Sequence, residues 1–323
     1  MPGDAELLLL SGPQVEPLLT PAAVLEAVRE AFTLHSQKEG RVFPVVRERL
    51  STGGVFGIKS GDVQAQGLLG FKAAGFWPAN RKRDGEPHQA TIMLFDPASG
   101  RPTCLIDGNA ITTARTGAAG ALGLQLLARP DSKTLCVFGS GVQARIQVQL
   151  ALDALPAISE VRYLTSGGAP NHAFEAKFSG RCTVRHATDA DATVASSDVI
   201  VTATPGGGAL FSADAVRPGT HINAVGTDTK GKRELPEGLL RRAIVVVDDQ
   251  EQSRQIGEGQ WYDDLELIEI GDILTGKVQM ARSETDITVF DMTGLALQDL
   301  TVARMLYRRA VDEKRGSKAP WPW

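Results

Sequence analysis

The chain has 323 residues, 42% of them hydrophobic and 22% charged, the balance of an ordinary globular protein with room for two cores. A formal net charge of −4, with no basic run longer than Arg81-Lys82-Arg83, excludes an electrostatic case for nucleic acid. Leu7–Leu10 is too short and lacks the basic flank of a signal peptide, and no stretch reaches the roughly 20 apolar residues that span a bilayer, so a cytoplasmic location without membrane partners is expected.

In chain order, Thr20-Pro21 is a helix start, a hydroxyl N-cap before a first-turn proline. Val24, Leu25, Val28 and Phe32 then share one face of a helix that ends before Gly40. Val42–Glu48, Val55–Lys59, Leu68–Trp77, Ala90–Phe95 and Pro102–Ile106 read as strands separated by Gly, Pro and Asn turns, a mainly antiparallel sheet. Asn109–Ala128 reads as a long helix whose Ala114, Gly117, Ala118 and Ala121 suit close packing. From there β-prone runs at 133–139, 160–165, 182–186, 198–203, 220–225 and 243–248 alternate with helical ones, which predicts a parallel sheet covered on both faces. Ile287–Asp291 and a helix from about Gly294 to Val311 follow, and Gly316–Trp323 reads as a loosely held tail. The expected fold is α/β: a Rossmann-type doubly wound domain over 129–292, plus an α+β substrate and dimerisation domain over 1–128 completed by about 293–323.

Gly139-Ser140-Gly141-Val142-Gln143-Ala144 is the most informative stretch. The apolar strand Thr134–Phe138 precedes it, and a helical run with Ile146, Leu150 and Ala151 on one face follows. Strand, G-x-G-x-x-A, helix is the dinucleotide fingerprint: one glycine makes the turn, the next admits the pyrophosphate, and the small residue lets helix and strand meet. The helix N-terminus then offers N–H groups to the phosphates. After the second strand of that domain stand Thr165-Ser166-Gly167-Gly168, with neither the acidic residue expected for NAD nor an adjacent arginine for NADP. The cofactor is NAD(H) or NADP(H), and these residues leave the choice open.

Three cations stand out in apolar surroundings: Arg47, Lys72 inside a strand of Leu, Phe, Ala and Gly, and Arg115 on the Ala-rich helix. A buried cation needs an anionic partner, and a ligand carboxylate would answer that need. Asp228, in Gly226–Leu235 beyond the strand Ile222–Val225, sits where ligands bind in such sheets. It reads either as a general acid/base or as a brace capping a helix that starts near Glu234. Lys82 and His88, on the 80–89 loop, are candidates for a second carboxylate anchor. Cys104, Cys136 and Cys182 lie in apolar strands and read as buried thiols. The five histidines never fall at ligand spacing, so no metal is expected.

These motifs resemble the ornithine cyclodeaminase/mu-crystallin family over nearly the whole chain. The resemblance rests on Arg47, Gly70-x-Lys72, Pro78-x-Asn80, Gly85-x-Pro-His88-Gln89, Leu94-Phe95-Asp96-Pro97-x-x-Gly100, Ala110-x-Thr-x-x-Arg115-Thr116, the glycine loop, and Gly294 with Gln298-Asp299. It implies a homodimer joined through the N-terminal sheets, an NAD(P)-binding domain, and a small α-imino or α-amino acid held between the domains. It further implies that Arg47, Lys72 and Arg115 hold the substrate carboxylate, that Asp228 and Lys72 act in catalysis, and that Thr116 and Thr293 lie on the nicotinamide side. Thr204 and Val225 complete the expected cofactor contacts with Gly139, Gly141, Val142, Gln143, Ala144, Thr165 and Ser166. Thr227 and Thr229-Lys230 stand where cyclodeaminases carry Gly and Cys-Pro. The chain is thus more similar to imine reductases of the iminosuccinate type. Imine reduction is the leading expectation, with redox-neutral cyclodeamination and NAD(P)-linked ligand binding without turnover as its rivals.

Overall fold

The computed structural model describes residues 5–321, which divide into two compact units. One runs to Arg115 and resumes at Leu295; the other is Thr116–Gly294. The first unit contains β1 (Ala5–Leu10), β2 (Arg41–Val42), β3 (Val46–Arg49), β4 (Val55–Val63), β5 (Leu68–Phe76), β6 (His88–Phe95) and β7 (Pro102–Asp107). The C-terminal strand Ser317–Trp321 begins the sheet, followed in order by β1, β7, β6, β5, β4 and β2, with β3 also paired to β4. All pairs are antiparallel except β1 with β7. Alternation in β5 turns Leu68, Gly70 and Lys72 to the covered face. There the helix Ala296–Asp312 lies across β4, β5 and β6, beside the helix Pro21–Ser36. Its Leu297, Leu300, Val302 and Leu306 are fully buried, each contributing about 1.5–3 kcal/mol. The approach is close enough that a Cβ on Gly70 would lie 2.9 Å from Leu300 Cδ2. Thr301 Oγ1 ties the two helices by donating to Ala27 O at 2.8 Å.

The second unit holds β8 (Thr134–Phe138), β9 (Glu160–Leu164), β10 (Thr183–His186), β11 (Val199–Thr202), β12 (His221–Ala224), β13 (Ala243–Val247), β14 (Ile268–Glu269) and β15 (Ile287–Asp291). All are parallel, in the order β10-β9-β8-β11-β12-β15-β13-β14. One face packs Cys136, Phe138, Ile200, Ile222 and Val289; the other packs Leu135, Val137, Val199 and Val201 with Phe174 and Phe178. Burial on both faces is why these strands read as unbroken apolar runs.

The helix Gly108–Leu127 contributes to both units, so the division falls inside it, between Arg115 and Thr116, rather than after residue 128. Its second half belongs with the parallel sheet for a physical reason. Asn223 Nδ2 donates to Gly120 O at 3.0 Å, Thr288 Oγ1 to Leu127 O at 3.0 Å, and Gln147 Nε2 to Thr116 O at 2.8 Å. Gly117 and Gly123 allow that approach, since a Cβ on either would lie 2.5 Å from Ile146 or Phe290.

Two expectations are corrected. The end of the chain is not loose as far as Trp321: Ser317–Trp321 pairs with β1, and Lys318 Nζ meets Glu6 Oε2 at 2.6 Å. Pro320 is tolerated because this is an edge strand; Trp323 lies outside the described residues. Nor does a helix begin near Glu234, because its buried carboxylate is committed to backbone groups of neighbouring loops. No helix among the described residues is long and apolar enough to cross a membrane.

Candidate active site

In the first unit, Lys59 on β4 stands directly opposite Lys72 on β5, and both are buried. Arg47 pairs with Gly57 and His88 with Phe76, so register places all four side chains on one face of the sheet. The helix on that face brings Asp299, whose carboxylate meets Lys72 Nζ at 2.7 Å and Arg115 Nε at 3.2 Å. Arg115 Nη1 also donates to Gln298 Oε1 at 3.1 Å, and Lys72 Nζ to Thr112 Oγ1 at 3.5 Å. Burial lowers the Lys72 ammonium to about 7; Asp299 opposes the shift, while Arg115 and Lys59 add to it. Burial works against ionisation of Asp299 as well, but Lys72 and Arg115 outweigh it and hold that carboxyl below its ordinary range. Two buried cations therefore share one carboxylate, with a third ammonium across the strand pair.

In the second unit, Gly139 has φ 110°, and a Cβ there would lie 2.7 Å from Ala203 O, so only glycine makes this turn. Gly141 caps the helix Val142–Ala154, and a Cβ on it would meet nothing within 4 Å. That clearance, with first-turn N–H groups of Val142, Gln143 and Ala144 that have no intrahelical acceptor, fits a dinucleotide pyrophosphate. Beyond β9, Thr165 Oγ1 donates to Ala169 O at 2.7 Å and lies 3.4 Å from His186 Nε2, while Ser166 is exposed. The nearby Glu175 accepts from Tyr163 OH at 2.7 Å and meets His172 Nδ1 at 3.0 Å, so the second strand's end presents hydroxyls rather than a carboxylate.

Asp228 lies in an irregular loop after β12, half-buried, with Lys232 Nζ 2.8 Å and Thr229 Oγ1 3.1 Å from its Oδ1. Thr204, after β11, donates through Oγ1 to Glu234 Oε1 at 2.6 Å, and Val225 is half-buried at the end of β12. Thr293 Oγ1 donates to Asp248 Oδ1 at 2.5 Å and accepts from Gln252 Nε2 at 2.6 Å. Thr116 is buried on the Ala-rich helix.

The first unit thus gathers Lys72 and Arg115 directly, with Arg47 and His88 on the same sheet face. Lys82 lies apart, exposed on the 3₁₀ turn Pro78–Arg83. His88 is a poor anion anchor: burial, then the charge of Lys72, lowers its pKa, and its Nδ1 is taken by Asn109 Oδ1 at 3.1 Å. Sequence reasoning missed Lys59 and gave no role to Asp299, Gln298, Glu234 or Glu258. The signal for Lys59 was there, a lysine two residues beyond Gly57 at the end of an apolar run.

The model of the ornithine cyclodeaminase/mu-crystallin family matches residues 6–314. Iminosuccinate reductase from Paracoccus denitrificans is 33% identical over 315 residues, 94% of this chain and 97% of that protein. Its structure in complex with NAD+ matches with a TM-score of 0.89 over 98% of this chain and 99% of that one, at 32% identity. An archaeal alanine dehydrogenase dimer with bound NAD matches with a TM-score of 0.91 and 30% identity, over 98% of this chain and all of that one (100%). The Δ(1)-pyrroline-2-carboxylate reductase of Thermococcus litoralis, in complex with NADH and L-proline, gives 0.89 and 27%, over 97% and 100%. With the family model matching nearly the whole chain and relatives of this length and identity, this chain belongs to the ornithine cyclodeaminase/mu-crystallin family.

Proposed function

We propose that the chain is an NAD(P)H-dependent oxidoreductase that reduces an α-imino acid, iminosuccinate-like or a cyclic ketimine, to the L-amino acid. The observation that carries this reading is the sharing of Asp299 by Lys72 and Arg115, which leaves a buried positive site for one more carboxylate. An α-imino acid has its electrophilic carbon next to such a group. Arg47, Lys72 and Arg115 hold the carboxylate by charge-assisted hydrogen bonds, each worth about 1.5–3 kcal/mol. That fixes the carbon beside it. The reduced cofactor, when bound at the Gly139–Ala144 loop, supplies the hydride. The imine nitrogen, on becoming an amine, takes up a proton unless it arrives as an iminium, and Asp228 is the group that delivers it. Lys232 and Thr229 hold the carboxylate of Asp228 by its Oδ1. Assembly as a homodimer belongs to the same reading, supported by the dimeric archaeal dehydrogenase.

The test is spectrophotometric: oxidation of NADH and NADPH is followed with ammonia plus oxaloacetate, pyruvate or glyoxylate, and with cyclic ketimines. One cofactor is expected to be consumed per amino acid formed. Asp228→Asn should lower turnover by about 10²–10⁴ with cofactor affinity intact, and wild-type turnover in that variant refutes the assignment. Ammonia release from ornithine or lysine without net cofactor oxidation would replace reduction by cyclodeamination.

A further inference from the structure

The span 226–235, which carries Asp228, has no helix or strand of its own to stiffen it, yet side chains clasp it on both sides of that residue. Glu258, 2% exposed, accepts at Oε1 from Thr227 Oγ1 at 2.6 Å, Glu234 N at 2.7 Å and Leu235 N at 3.2 Å. Gln260, two residues on, accepts from Gly231 N at 2.7 Å, and its Nε2 donates to Lys232 O at 3.2 Å and Gly257 O at 2.7 Å. Glu234, fully buried, turns back to accept from Gly226 N at 2.8 Å and from Thr204 N at 2.8 Å. There is no slack at the start of the loop, since a Cβ on Gly226 would lie 2.5 Å from the Glu234 carboxyl carbon. Residues 228–230 lie between Thr227 and Gly231, the two positions held nearest to Asp228.

Buried carboxylates are weak devices for stability: desolvation opposes them, and apolar residues of similar size often serve as well. What two such groups provide is a fixed path for the backbone at Gly226, Thr227, Glu234 and Leu235. We propose that Glu258 and Gln260 are positioning residues, which hold the loop so that the Asp228 carboxylate is presented in one orientation. The inference rests on the acid/base reading of Asp228. It assigns the short segment after the helix Gln250–Ile256 a part in the rate of proton delivery, although neither side chain need touch a ligand.

The test uses the intact enzyme and imino acids formed from ammonia and a 2-oxo acid. Gln260→Ala is expected to lower kcat about ten-fold and Glu258→Ala about a hundred-fold, the scale of a small misplacement of a reacting group. Substrate KM and cofactor affinity, read by protein fluorescence, should stay within about two-fold. Glu258→Gln keeps an oxygen for the same three donors and should recover most of the rate. A double-mutant cycle makes the decision: in an Asp228→Asn background, Gln260→Ala should cost nothing further, because its effect passes through the missing carboxylate. A full additional loss in that background, or wild-type kcat in both alanine variants, overturns the proposal while leaving Asp228 as the acid/base. Wild-type turnover by Asp228→Asn alone overturns the underlying reading instead. Should Glu258→Ala fail to fold, half-buried Gln260 carries the cycle by itself.

Discussion

Lys59 and Lys72 face each other across an antiparallel pair, where like charges are unfavourable. Asp299 lies against one of the two and against Arg115, and the proposed substrate carboxylate is a further anion for the same face. A pH dependence follows from Lys72. Burial lowers its ammonium to about 7, so the charged form, the one proposed to bind the substrate carboxylate, predominates below that pH and is lost above it. KM for the imino acid should therefore rise by up to about ten-fold between roughly pH 7 and 9. Lys72→Arg, permanently charged, should lose that limb. A KM flat in wild type over this range would remove Lys72 from the binding step. Lys72 and Arg115 were legible in the sequence because each breaks an apolar context. The role of Asp299 was not, because it lies 184 residues from Arg115 and only the packing of the last helix on the sheet brings them together.

Local elements were the more readable ones. The glycine loop declares itself within six residues, because turn, phosphate approach and helix packing each demand a residue type there. The loop beyond β9 carries the hydroxyls of Thr165 and Ser166 and no carboxylate, which leaves the choice between NAD and NADP open. Ser166→Asp should install the carboxylate that favours ribose hydroxyls and repels a 2′-phosphate, shifting kcat/KM at least about ten-fold from NADPH toward NADH. An unchanged ratio of the two cofactors would place the adenosine ribose elsewhere. By contrast, the Asp228 loop resembled a helix start, since Glu234 follows polar residues much as first-turn acids do. Its true partners come from residues 204 and 258, beyond the reach of any local pattern. The C-terminal strand escaped notice for the opposite reason: its prolines argue against a strand, except at an edge.

At the scale of the whole molecule, two buried groups set opposing pH trends in stability. His221 Nδ1 lies 2.8 Å from Thr288 Oγ1 and its Nε2 3.0 Å from Asn223 Oδ1, and burial lowers its pKa to about 3. The unfolded chain takes up that proton below its ordinary value of about 6.5, so stability is lost as pH falls from there. Asp291 accepts from Ser253 Oγ at 2.5 Å, while its buried Oδ1 has no hydrogen-bond partner among the described residues. Burial, then the charge of Glu258, raises it to about 8. The unfolded chain releases this proton above about 4, so stability is lost as pH rises from there to about 8. The two slopes cancel between about pH 4 and 6.5 and leave a decline from there to about 7, above which Lys72, neutral in the folded protein but still charged in the unfolded chain, offsets it. Asp291→Asn should raise the melting temperature at pH 8 and flatten that decline; an undiminished decline in the variant would show that Asp291 is not its source. The division inside the helix Gly108–Leu127 leaves no mark in the sequence, because an unbroken Ala-rich run gives no sign of a change of partners.

The sharing of Asp299 by Lys72 and Arg115 has a practical consequence. If these cations hold the substrate carboxylate as proposed, they do not distinguish an imino acid's carboxylate from any other compact oxyanion. Sulfate or phosphate in a purification buffer should then protect the protein against heat while competing with the substrate. Esters and amides of the same imino acids, lacking the negative group, should pass these cations by.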